Sequence, residues 1–164
     1  MKEGFELDAI DWRILGELQD DSRVSHAELA RRVHLTPPAV AARIRKLEDL
    51  EIILGYRLEL NLPRLGVQTL AFVRVASHGN NHQPFLDAVA ARPEVLECHH
   101  VTGEDCYLVK VATCSISDLE EVVAEMARYG STTTSIVFSS PVARRTVVGE
   151  RPGSPPSSTP VRSP

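Results

Sequence analysis

Between Ser25 and Lys46 the chain sets two helix-start signals in close succession. The same stretch carries five bases, Arg31, Arg32, Arg43, Arg45 and Lys46, with no acid from Arg31 to Lys46. Ser25 followed by Glu28 has the spacing of a capping box, and Val24 and Leu29 stand where a hydrophobic staple fixes the entering chain. A helix is therefore predicted over 26–33. Thr36 caps the next helix, Pro37 suits its first position because no intrahelical N–H is lost there, and Leu35 and Val40 form a second staple. Upstream, Asp8 caps a predicted helix through Leu18, with Leu7 set against Trp12 and with Ile10, Ile14 and Leu18 on one face. Three helices with matching entry devices make a small trihelical unit. Two short helices joined by a tight turn, the second rich in Arg and small side chains, form the arrangement that lays a helix in a DNA major groove.

The helix expected over 37–50 has two faces. Val40, Ile44 and Leu47, at i, i+4 and i+7, face the core, which leaves Pro38, Ala39, Ala42, Arg45 and Lys46 outward and Arg43 on the flank. Small residues near the helix start permit close approach to base edges, and the bases further along can pair with phosphate or guanine. Thr36, Pro38, Ala39, Ala42, Arg43, Arg45 and Lys46 are the candidate DNA contacts. The plain alternative is a solvated basic face on an ordinary helix. Beyond Leu50, the run Ile52-Ile53-Leu54-Gly55-Tyr56-Arg57-Leu58-Glu59-Leu60 is β-prone with a turn candidate at Gly55. It reads as a two-stranded wing or as a strand leading onward, with Arg57 placed to touch the DNA backbone.

Several blocks of this residue order resemble the Lrp/AsnC family of leucine-responsive and asparagine-type regulators. They are Leu-Asp-Ala-Ile-Asp at 7–11, Ile14-Leu15, Leu29-Ala30-Arg31-Arg32-Val33, Leu35-Thr36, Val40, Arg43-Ile44, Lys46-Leu47-Glu48 and Ile53-Leu54-Gly55-Tyr56. The resemblance runs to about residue 147. It departs at two positions: His34 and Glu51 stand where the pattern has Gly. If both need a left-handed backbone, each non-Gly residue costs roughly 1 kcal/mol. At Glu51 the expected consequence is a helix ending one turn differently and a tilted wing.

A formal charge of −4 and a pI near 5.9 argue against indiscriminate polyanion binding. The charge is uneven, however: residues 1–21 hold seven acids against Lys2 and Arg13, whereas 29–47 hold only bases. No apolar run long enough to cross a bilayer and no basic-then-apolar leader are present, so a cytoplasmic location without membrane association is expected. Cys98, Cys106 and Cys114 lack a paired metal spacing and suit a reducing compartment.

Asn61, Pro63 and Gly66 mark 61–68 as a linker. Strands are then predicted over 69–77, 95–102, 105–114 and 132–139, with helices over 83–92 and 117–128. Ser117 and Glu120 read as a capping box, and Gly130 as a helix terminator. The order βαββαβ is the ferredoxin-like split unit. The fold class is thus α+β: a winged helix-turn-helix over 1–60, a linker over 61–68, a ferredoxin-like domain over 69–148 and a Pro/Ser-rich tail over 149–164 that is expected to be disordered. Leu70 and Phe72 alternate with Ala71, Val73 and Val75, so both sheet faces carry apolar residues while two helices cover one. A second copy of the chain about a two-fold axis, or failing that loops, should cover the other. A dimer also suits a palindromic duplex site.

The turn Val101-Thr102-Gly103-Glu104-Asp105-Cys106-Tyr107 offers backbone N–H groups, a hydroxyl and a carboxylate, the groups an amino acid zwitterion requires; an ordinary hairpin turn offers them too. The resemblance implies that this loop lines an effector pocket at a subunit interface, together with the last strand. At matching positions it implicates Thr102, Gly103, Glu104, Asp105 and Tyr107, with Thr132, Thr134 and Ser135. Cys98 and His100 share one side of their strand and His99 the other, which places no fourth ligand, so no metal is expected. No local catalytic set is evident, and no cofactor is expected beyond an amino acid effector. The expectation is a non-enzymatic, sequence-specific regulator of transcription that binds double-stranded DNA as a homodimer and assembles to a tetramer or octamer. The alternatives are a sirohaem decarboxylase of the same architecture and a nucleoid-associated architectural protein.

Overall fold

The computed structural model describes residues 6–77, 82–103 and 106–147. They fall into two units, one of residues 6–58 with 142–147 and one of residues 59–141, interrupted at 78–81 and 104–105. The expected tail over 149–164 lies outside the described residues.

The first unit is built from α1 (Ala9–Asp20), α2 (His26–Val33) and α3 (Pro37–Asp49). Each begins where its cap stands. Asp8 accepts from the N–H groups of Ile10 and Asp11 at 2.8 Å, Ser25 from that of Glu28 at 3.1 Å, and Thr36 from that of Ala39 at 3.4 Å. A full capping box forms at Asp8, because Asp11 returns a bond to the Asp8 N–H; at Ser25 only the serine half is made. Ile14, Leu29, Val33, Val40, Ile44 and Leu47 form the core, and the staple residues Val24 and Leu35 pack against it.

His34 and Glu51 take φ values of +57° and +56°. Each follows a helix whose end is closed by a long backbone bond, Leu35 N–H to Ala30 at 2.9 Å and Ile52 N–H to Leu47 at 2.9 Å. This is the Schellman arrangement, which needs a left-handed residue just before the donor. The anticipated shift of the α3 terminus at Glu51 does not occur: the helix ends at Asp49 and Glu51 accepts the unfavourable conformation. The anticipated wing does not form within the chain either. Residues 54–60 are neither helix nor strand, and Leu54 and Leu58 are 88% and 82% exposed. β-prone residues alone cannot hold a strand without a hydrogen-bonding neighbour.

The second unit carries β1 (Thr69–Ser77), α4 (Gln83–Ala90), β2 (Val95–His100), β3 (Tyr107–Thr113), α5 (Ile116–Met126) and β4 (Gly130–Ile136). All pairings are antiparallel in the order β2-β3-β1-β4, the ferredoxin-like topology. Ala71, Val73, Val75, Tyr107, Val109 and Val111 form one buried row set under Phe85, Val89, Leu119, Val122 and Met126 of the helices. The opposite face presents Leu70, Phe72 and Leu108, half-buried, beside Arg74 and Lys110.

Two local expectations are corrected here. The cap of α5 stands two residues early, on the capping box Ser115–Asp118 rather than Ser117–Glu120. The two sets have the same spacing, but Thr113 donates to the Ser115 carbonyl at 2.8 Å and fixes the earlier turn. Gly130 does not terminate a helix: it opens β4 opposite Ser77, and α5 is closed at Ala127.

Candidate functional site

Helix α3 presents Pro38, Ala42, Arg45 and Lys46 on one exposed stripe, the outward face its spacing implied. Thr36 at its start is exposed and Ala39 half-buried. Arg57 lies apart, exposed in the extended segment 54–60. Arg43 is placed differently from the rest. Its Nη1 donates to Asp8 Oδ2 and to Asp11 Oδ1, both at 2.7 Å, so the guanidinium is bound to the capping box of α1. The Asp8 carboxyl is held below the usual carboxylate range by the Asp11 N–H and then by Arg43. The Asp11 side chain is only 8% exposed against 31% for Arg43. Arg43 therefore sets the angle between α1 and α3 and is committed to two acids.

Other bases of the basic stretch are matched in the same way. Arg32 pairs with Glu17 at 2.7 Å and with Glu28 at 2.8 Å, and Arg31 also pairs with Glu28. Three of the five cations that made this stretch look strongly basic, Arg31, Arg32 and Arg43, thus meet acids, Glu28 just ahead of the run of bases and Glu17, Asp8 and Asp11 of α1. The positive field of the exposed stripe rests mainly on Arg45 and Lys46.

In the second unit, Thr102 and Gly103 are exposed at the β2–β3 turn, where Gly103 has φ +118°, a conformation suited to glycine. The turn is closed by Val101 N–H to the Cys106 carbonyl at 2.9 Å and tied to β1 by Cys106 N–H to Val75 at 3.0 Å. Glu104 and Asp105 lie outside the described residues. Tyr107 is buried on the helix-covered face, its ring 4.8 Å from that of Phe85 and stacked 5.0 Å from that of His100. Thr132 shares its cross-strand row, since Val75 pairs with both; Thr134 lies in the next row on the same face. Ser135 is opposite Phe72 and so belongs to the other face. The eight effector candidates thus include a Tyr107–Thr132–Thr134 group from which Ser135 is separated.

Sequence reasoning passed over His82 at this end of the sheet, and weighed His100 as a metal ligand. The His82 ring is 5.6 Å from that of Tyr107, and its buried Nδ1 has no hydrogen-bond partner. His100 lies on the inner side because it pairs with Tyr107, and a register shift between Val95 and Glu97 hides this from simple alternation along β2.

Residues 7–48 match the AsnC-type helix-turn-helix domain, and residues 70–147 match the Lrp/AsnC ligand binding domain. The HTH-type transcriptional regulator LrpC of Bacillus subtilis is 33% identical over 134 residues, spanning 82% of this chain and 93% of that protein. The chain belongs to the Lrp/AsnC family. The leucine-responsive regulatory protein of Rhizobium meliloti is 42% identical over 126 residues, 73% of this chain and 79% of that protein. The solved structure of B. subtilis LrpC superposes with a TM-score of 0.81 at 31% identity, covering 85% of this chain and all of that one. A transcriptional regulator from Neisseria meningitidis solved with L-methionine gives a TM-score of 0.82 at 27% identity, covering 87% and 96%. As an Lrp/AsnC protein, the chain is a transcriptional regulator that joins a helix-turn-helix to a ligand-binding domain. No helix among its described residues is long and apolar enough to cross a membrane.

Proposed function

We propose that this Lrp/AsnC protein binds a specific palindromic duplex as a homodimer in the cytoplasm, through a reading head over 1–60, and adjusts that binding to an amino acid held by residues 69–148. The observation that carries the reading is the exposed α3 stripe of Pro38, Ala42, Arg45 and Lys46, with small side chains at the start and bases beyond. Pro38 and Ala42 let the helix approach base edges, while Arg45, Lys46, Thr36 and Arg57 supply phosphate or guanine contacts. Arg43 serves as the brace that holds the reading helix at its angle to α1.

Thr102, Gly103, Glu104 and Asp105 line the effector pocket, and Tyr107, Thr132 and Thr134 form its inner wall. Support comes from the relative solved with L-methionine and from the leucine-responsive relative. A ligand shared between subunits changes operator affinity only by its differential affinity for two arrangements of the reading heads, and the effect is reciprocal. Dimers can associate further to tetramers or octamers. The matching of Arg31, Arg32 and Arg43 by acids disfavours a purely electrostatic nucleoid role, and the retained exposed stripe disfavours a decarboxylase.

Fluorescence anisotropy with a duplex from the upstream region of the protein's own coding sequence, against a shuffled duplex at moderate salt, tests the first half; equal affinities would refute it. Thermal shifts against the amino acids test the second. At least one hit is expected, and its loss in Asp105→Ala; no hit would leave the domain an assembly module.

A further inference from the structure

We propose that the first unit contains a ligand site of its own, a cleft of about 300 Å³ beside α3 that takes a small monocarboxylate with a compact apolar body. The floor is apolar: Leu18 of α1, Val24 of the α1–α2 turn, and Ala41 and Ile44 of α3. The rim is polar, with His26 at the start of α2, Arg45 and Glu48 of α3, and Tyr56 from the extended segment. Ala41, Ile44, Arg45 and Glu48 follow one another at i, i+3, i+4 and i+7, so a single stripe of α3 forms one wall from floor to rim. The small Ala41 side chain keeps that wall open.

The rim sets one cation, Arg45, against one carboxylate, Glu48, and a ligand carboxylate would bind on the Arg45 side. None of the ion pairs among the described residues engages Arg45. The N-terminal N–H groups of α2 add positive potential from the side of His26. The opposing carboxylate, Glu48, already accepts the Tyr56 hydroxyl at 3.1 Å, which holds the ring over the cleft. Burial, and then Glu48, raises the Tyr56 hydroxyl above its usual pKa. A carboxylate on the Arg45 guanidinium, with an aliphatic or aryl body on Leu18, Val24 and Ile44, satisfies both halves of the cleft. Arg45 also lies on the DNA-facing stripe. On the proposed function, ligand and phosphate therefore compete for one guanidinium, and a monocarboxylate in the cleft lowers duplex affinity directly, apart from any effector held by the second unit.

The test uses the full chain with ¹³C-labelled methyl groups and 4-methylpentanoate as probe. Saturable shifts are expected at the methyls of Leu18, Val24 and Ile44, with Val73 and Val109 of the sheet unmoved. Arg45→Gln should weaken binding about tenfold, the worth of one charged hydrogen-bonding partner. Ala41→Leu should fill the cleft and abolish the shifts while the rest of the spectrum keeps its dispersion. The site is overturned by an absence of shifts at millimolar probe, by equal binding of 3-methylbutan-1-ol, which lacks the carboxylate, or by shifts that survive Ala41→Leu. In the duplex assay the probe should lower affinity for the native chain and leave Ala41→Leu unaffected; a filled cleft with unchanged affinity overturns the competition. The methyl shifts report on the cleft even where no duplex binds, so failure of the DNA reading is distinguishable.

Discussion

Replacing Arg43 by Ala strips two carboxylates of their cation, and the geometry sets the size of the effect. Asp8 is half exposed, at 50%, and water can replace its partner; Asp11 is 8% exposed and cannot be rehydrated without moving α1. Loss of one partner from a fully buried pair costs about 3–5 kcal/mol, and from an exposed pair about 0–1 kcal/mol. With Arg43 itself 31% exposed, the expected loss lies between these, about 2 kcal/mol. Trp12, the single tryptophan of the chain, sits in α1, so its fluorescence in a urea titration reports the first unit alone. The contribution is also tied to pH. The folded-state pKa of Asp8 is depressed from 3.8, so its share of stability is present above that value and lost as pH falls through the lower folded one. Arg43 supplies only part of that depression, after the Asp11 N–H, so the gap between native and variant curves should narrow in acid. A difference under about 0.5 kcal/mol at neutral pH would place the pair with ordinary surface bridges and return Arg43 to the groove-reading set.

Four further outcomes are expected. Lys46→Ala should lower the slope of log affinity against log salt by about one, whereas Arg43→Ala should leave that slope unchanged; duplex titrations at several salt concentrations compare them. Glu51→Gly should stabilise the first unit by about 0.5–1 kcal/mol, since it relieves the left-handed strain and removes an acid from the negative end of α3, offset by chain entropy; Trp12 fluorescence in urea measures it. Phe72→Lys, on the sheet face away from the helices, should weaken self-association at least tenfold in sedimentation equilibrium, from the loss of about 2 kcal/mol of apolar burial. Tyr107→Ala should cost about 3–4 kcal/mol of second-unit stability by opening a cavity against Phe85, which circular dichroism in urea would follow; a smaller loss would mean a loosely packed ring.

What was legible in the sequence was what is decided within one helical turn. Ser25, Thr36 and Asp8 act on N–H groups two or three residues away, so the starts of α1, α2 and α3 could be placed, whereas the left-handed positions His34 and Glu51 were marked by the family likeness, and the helix end at Glu51 was misplaced. Ser117 misled because two Ser-x-x-acid sets overlap there, and the choice falls to a bond from Thr113 in the preceding strand. Arg43 misled for a longer-range reason: its partners lie more than thirty residues upstream, and a base facing solvent and a base facing acids look alike in one dimension. The 54–60 segment has strand composition, but a strand also requires an unsatisfied edge beside it. In the second unit, the family likeness grouped Tyr107, Thr132 and Ser135, whereas the cross-strand register, which a single sequence does not carry, sets the first two on one face and Ser135 on the other.

Because Glu17, Glu28, Asp8 and Asp11 cancel most of the charge on α2 and α3, the first unit has little grip on arbitrary sequence. On the proposed function, a reading head whose arginines are so paired should let go of decoy stretches of chromosome quickly.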